Sequence, residues 1–112
     1  MEPFLLPGDR LYVDTRAFDT APPARGDVVV LHDPEESTRL LVKRVAALPG
    51  DIPAGALDRV PSGHLYVLGD RGADSRDSRQ FGPVPLVLVV GLARFRYSPP
   101  DRRGPLGDRI LK

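Results

Sequence analysis

Apolar residues gather in five short runs: "RLYVD" (10–14), "DVVVLHD" (27–33), "RLLVKRVAAL" (39–48), "HLYVLGD" (64–70) and "LVLVVGLARFRY" (86–97). Their length, β-branched content and turn boundaries are those of strands. "APPARG", "LPGD" and "VPSG" between them are turn material. No stretch carries a sustained helical stripe, and thirteen prolines with eleven glycines interrupt the chain too often for long helices. The pattern predicts an all-β single domain of coiled antiparallel strands over residues 1–97, with no internal repeat. "MEPFLLPGD" enters it as an extended arm. From Ser98, "SPPDRRGPLGDRILK" is Pro- and Arg-rich and reads as a tail over residues 98–112.

Composition narrows the function classes. The 112 residues suit one domain with a modest core. A formal net charge of +1 offers no clustered basic surface, so no nucleic-acid partner is expected. With no cysteine and only two histidines, His32 and His64, no metal site or cofactor is expected. No apolar run approaches the ~20 residues that cross a bilayer, and no signal or transit segment opens the chain. It reads as a soluble domain, with membrane contact only through an anchor outside these residues.

One residue stands out in the third run. Of sixteen Lys plus Arg, only Lys43 and the terminal Lys112 are lysines. In a strand, Lys43 shares its face with Leu41 and Val45, while Arg44 faces the other way with Val42 and Ala46. If the Lys43 face is covered, the ammonium is desolvated and its pKa falls. A neutral amine can take a proton from a hydroxyl, the basis of Ser–Lys pairs. The plainer reading is a lysine that snorkels its ammonium to water.

Four stretches in order supply context: "MEPFLLPGD", "RGDVVV" (25–30), "LVKRVAALPGD" (41–51) and "GDRGADSRDSRQFGPVP" (69–85). Together they resemble the type I signal peptidases, serine–lysine peptidases of family S26, over nearly all of residues 1–97. The resemblance implies an all-β fold shared with self-cleaving repressors. It also implies that Lys43 is the general base and that Ser75 hydrogen-bonds and orients it. Asp77 and Arg79 fall on a charged pair that braces the site; Gly69 and Asp70 open the same loop, and Gly82 closes it. Met1 and Pro3 fall on the arm beside the substrate groove. Taken alone, "GADSRDSR" also reads as a solvated loop whose Ser and Asp bond their own backbone.

The resemblance sets the nucleophilic serine directly before a Met-x-Pro, and "MEP" occupies residues 1–3. That serine is therefore expected ahead of Met1, and a second hydroxyl, which helps stabilise the oxyanion, two residues further upstream. None of Ser37, Ser62, Ser75, Ser78 and Ser98 takes its place, since the one set near Lys43, Ser75, has the supporting role. His32 and His64 lack an accompanying motif such as G-x-S-x-G and read as strand or turn residues. Arg71 replaces the usual asparagine after Gly-Asp, and Phe4 a common threonine. Either the start lies downstream of the true one, with anchor and serine ahead of it, or a degenerate homologue has kept the scaffold without hydrolysis. The first is preferred.

The implied activity is that of a serine endopeptidase cutting signal peptides or pro-segments from exported or precursor proteins. Its substrates are peptides with small residues at the cleavage site. The implied location is the outer face of the cytoplasmic membrane. The alternatives are an inactive S26 homologue that binds peptides, or a protease of the kind that matures nickel superoxide dismutase, which "GLARFRYSPP" resembles. A self-cleaving repressor ranks last, because neither a cleavage site nor a DNA-binding domain accompanies the motifs.

Overall fold

The computed structural model describes residues 10–69, 76–98 and 104–105, with backbone alone for 10–12, 95–98 and 104–105. Among the described residues seven strands follow one another: β1 (Arg10–Asp14), β2 (Val28–Asp33), β3 (Glu36–Ala47), β4 (His64–Leu68), β5 (Val84–Pro85), β6 (Val89–Ser98) and β7 (Gly104–Pro105). Two four-residue helices interrupt them, α1 (Ala17–Thr20) and α2 (Ser78–Phe81). The pairing order is β1-β6-β2-β3-β4-β5, with β7 also on β6, and every pairing is antiparallel. Among the described residues no helix is long and apolar enough to cross a membrane.

β2 lies between β3 and β6 and is covered on both faces, so Val28, Val29, Val30 and Leu31 are all buried. That explains an unbroken "VVVL" where a half-exposed strand would alternate. Its odd positions join Val45, Leu65, Val67 and Val84 in the main core, against which Phe18, Leu41 and Phe81 pack. Its even positions join Ala93 in a second cluster with Val13, Val42 and Val90.

Three boundaries differ from the sequence pattern. β3 begins at Glu36, three residues ahead of the apolar run, because Pro34 and Glu35 form a tight turn and Asp33 pairs with Glu36. The added residues are exposed and polar, so hydrophobicity does not register them. At the other end, "LVL" (86–88) is a 3₁₀ turn and not the start of a strand. There the chain leaves its pairing with β4 through β5 and joins β1 and β2 through β6; Val87 is exposed on the corner. An apolar run without alternation cannot announce such a corner. Third, β4 stops at Leu68, before the Gly-Asp of its run. Within residues 98–112, Gly104 and Pro105 return to pair with Arg96 and Phe95.

Gly91 shows how tightly β1 lies on β6. A Cβ there would sit 2.6 Å from the Asp14 carbonyl oxygen and 3.0 Å from Thr15 Cα. Both are backbone atoms, so the strand itself must move. Gly91→Ala is expected to cost about 1–3 kcal/mol, read as a lower urea midpoint with unchanged slope. An unchanged midpoint would show that β1 is free to shift.

Candidate active site

Lys43 lies near the middle of β3, opposite Val29 of β2. Of its neighbours on the same face, Val45 belongs to the main core and Leu41 packs against it, and Lys43 is itself only 9% exposed. Burial lowers its pKa below the ordinary lysine value, since taking the ammonium out of water penalises the charged form. Asp77 acts in the opposite sense, Arg79 and Arg76 add to the lowering, and Asp33 opposes it. The amine therefore sits between two anions and two cations, with desolvation the leading influence.

Asp77 organises the segment after β4. It is fully buried and caps α2, accepting the Arg79 backbone N–H at 3.0 Å on Oδ1. Gln80 reaches back to accept the Asp77 N–H at 2.8 Å, completing a capping box. The Asp77 Oδ2 also accepts the N–H of Gly69 at 2.8 Å, so one carboxylate joins the end of β4 to the start of α2. Arg79 folds back and donates through Nε at 3.0 Å and through Nη2, pairing both carboxylate oxygens. These contacts hold the Asp77 carboxyl below the usual carboxylate value although burial pushes it up, and the same pair raises Arg79. Gly82 closes α2 with φ +79°, a conformation that favours glycine, and its N–H returns to the Ser78 carbonyl.

Of the residues singled out in sequence, Lys43, Gly69, Asp77, Arg79 and Gly82 are described; Asp77 joins Gly69 and Arg79 where β4 ends and α2 starts, and the charges of Asp77 and Arg79 act on Lys43 of β3. Ser75, Asp70, Arg71, Met1, Pro3 and Phe4 lie outside the described residues. Ser78 went without a role in the sequence reading. Its buried Oγ accepts the Val67 N–H at 2.9 Å, which ties α2 to β4. The capping box was visible in "DSRQ", with Asp77 three residues ahead of Gln80. His32 and His64 each hold a nearby carbonyl, of Ser37 and Ser62, by Nδ1.

Elsewhere, Arg25 of the "RGD" turn pairs with Asp51 of the "LPGD" turn through two hydrogen bonds of 3.0 Å. This brings two of the four family-like stretches together. Arg79 also lines a hollow of about 140 Å³ with Ala46, Pro53, Ala54, Tyr66 and Leu68, on the opposite side of β3 and β4 from the main core. A larger hollow of about 580 Å³, around Phe18, Pro22, Leu86 and Val89, includes none of the site residues.

The site thus combines an antiparallel β domain, a buried lysine on β3 and a capped Asp–Arg pair on α2. The family model for signal peptidase, peptidase S26, matches residues 1–52 and 53–98, and the chain belongs to that family. It is 41% identical over 95 residues to the mitochondrial ATP-independent inner membrane protease subunit 1b of Arabidopsis thaliana, a match covering 76% of this chain and 56% of that protein. It is 32% identical to the probable signal peptidase I-1 of Synechocystis, covering 96% of this chain and 71% of that one. The chain thus spans little more than half the length of the first relative. The solved structure of signal peptidase I from Enterococcus faecalis V583 has the same fold, with a TM-score of 0.55 at 23% identity, covering 62% of this chain and 95% of that one.

Proposed function

We propose that the protein is a signal peptidase-type serine endopeptidase in which neutral Lys43 is the general base. The observation that carries this is a lysine on the core face of β3, 9% exposed, whose pKa burial lowers. The nucleophile is the serine that the family pattern sets directly before the Met-x-Pro of Met1–Pro3. Lys43 Nζ takes the proton from its hydroxyl as the oxygen attacks the scissile carbonyl. The ammonium then returns that proton to the departing amine, leaving an acyl ester on the serine. Water, deprotonated by the same amine, releases the acid. Ser75 orients Lys43, and the Asp77–Arg79 pair with Gly69 and Asp70 keeps that loop in place.

The substrate is an extended peptide with small residues at the cut, laid along a strand edge by backbone pairing. The enzyme works at the outer face of the cytoplasmic membrane. Support for a membrane setting comes from relatives named as inner membrane proteases.

The test is a chain extended at its start by the serine and its flanking residues, incubated with a peptide carrying a signal-peptide cleavage site. Cleavage after a small residue is expected. A peptide that binds and stays intact would mean a binding module and sink the enzymatic reading. In the same extended chain, Ser75→Ala is expected to slow turnover by roughly 10²-fold or less without abolishing it, because misplacing a base costs less than removing it. An unchanged rate would remove Ser75 from the site.

A further inference from the structure

A second ion cluster lies where the tip of the β2–β3 hairpin meets the entry of α2. Asp33, the last residue of β2, is fully buried, and its Oδ1 accepts the Glu35 N–H at 2.8 Å. Arg76 Nη2 donates to Asp33 Oδ1 at 3.0 Å and to Glu35 Oε1. The guanidinium also lies 5.3 Å from the centre of the Phe81 ring, which packs on the main core. Arg76 therefore spans from the entry of α2 to the tip of the β2–β3 hairpin, a separation of 43 residues in sequence from Asp33. It stands directly between Ser75 and Asp77 in the chain.

We infer that Arg76 is a positioning residue of the site: its bridge to Asp33 and Glu35 fastens the entry of α2 to the β2–β3 hairpin and sets a cation against the buried Asp33 anion. This rests on the peptidase reading for its catalytic meaning. Asp33 ends β2 just past an irregularity in its pairing with β3, and Phe81, under the Arg76 guanidinium, packs on the same core as Leu41, Val45 and Val29, the neighbours of Lys43. A buried carboxylate stripped of its cation keeps its field in a poorly screened interior. The charges acting on Lys43 include Asp33 from β2, and Arg76, Asp77 and Arg79 from α2 and its entry. β4 supplies only apolar neighbours on that face, Leu65 and Val67. The Asp33–Arg76 and Asp77–Arg79 pairs thus both act on the amine, and losing one member of a pair leaves the other's influence on it unopposed within that pair.

The two lysines make a direct test possible. In the 112-residue chain carrying ¹³C-labelled lysine side chains, the Lys43 signal is distinguished from Lys112 by a Lys112→Arg variant, and its titration midpoint is read by NMR. Arg76→Met, which leaves Asp33 without its cation, is expected to move the Lys43 midpoint to higher pH. Asp33→Asn, which leaves Arg76 without its buried anion, is expected to move it lower. The double variant is expected to return toward the parent value. Shifts in one common direction, or a folded Asp33→Asn chain with no shift, would overturn the inference. If Arg76→Met does not fold, Asp33→Asn alone decides it. The measurement needs neither serine nor turnover. Opposite shifts in a chain whose serine-extended form cuts nothing would defeat the peptidase reading and leave the charge balance standing.

Discussion

Lys43→Ala and Lys43→Arg, each in the serine-extended chain, are expected to lower turnover by about 10²–10⁴-fold with the fold intact. Alanine removes the base; arginine keeps a charge that cannot be discharged at any working pH. A plain core lysine would behave differently, because arginine would then be a tolerable replacement. The pH profile sharpens the distinction. Only the neutral amine accepts a proton, so activity should rise with pH through the lowered Lys43 value. Stability follows the same sign. With the folded pKa below the unfolded one, the unfolded chain binds the extra proton in between, so stability grows as pH rises across that window. Lys43→Met has no proton to bind and fits an aliphatic face. It should unfold at a higher urea concentration than the parent below that window, while being inactive. Such a gain in stability beside a loss of function is what a desolvated catalytic amine predicts. Full activity in Lys43→Arg would end the assignment.

Asp77→Ala is expected to destabilise the domain by about 3–5 kcal/mol, since it breaks a buried ion pair whose acceptor carries several hydrogen bonds. The helix cap alone accounts for about 1 kcal/mol of that. The remainder comes from the Gly69 N–H left without its acceptor and from Arg79, which loses both carboxylate oxygens. Asp77→Asn keeps the shape and one acceptor oxygen but loses the charge, and should fall between the parent and the alanine variant. Urea midpoints at neutral pH order the three chains. In acid the differences should shrink. The folded Asp77 pKa lies below its ordinary value, so its contribution is present above the ordinary carboxylate range and is lost as pH falls through the folded value. A midpoint for Asp77→Ala equal to that of the parent would show that the capping box carries no load.

The five apolar runs became β1, β2, β3, β4 and β6, and their legibility has a simple source: a strand that must bury one or both faces needs apolar side chains whatever it pairs with. Elements without that need left no such trace. The exposed start of β3, the two-residue β5 and helix α2 rest on turns, caps and pairing partners. For α2 the one local signal is Gln80, three residues past Asp77, and the apolar pattern does not register it. Arg76 and Asp33 stayed hidden for another reason. Each is an ordinary charged residue in its own segment, and they acquire meaning only where the hairpin tip meets the entry of α2.

Along the chain, then, the residues alone determined that the protein is built of antiparallel strands, that Lys43 shares a side with Leu41 and Val45, and that its motifs follow the order of a peptidase family. What the tertiary structure decided is that this side is the one facing the core, and that charges from β2, α2 and its entry act on the amine. Alternation says which side chains travel together. Only the packing of β2, β4 and α2 against that side says how much water, and how much charge, they meet.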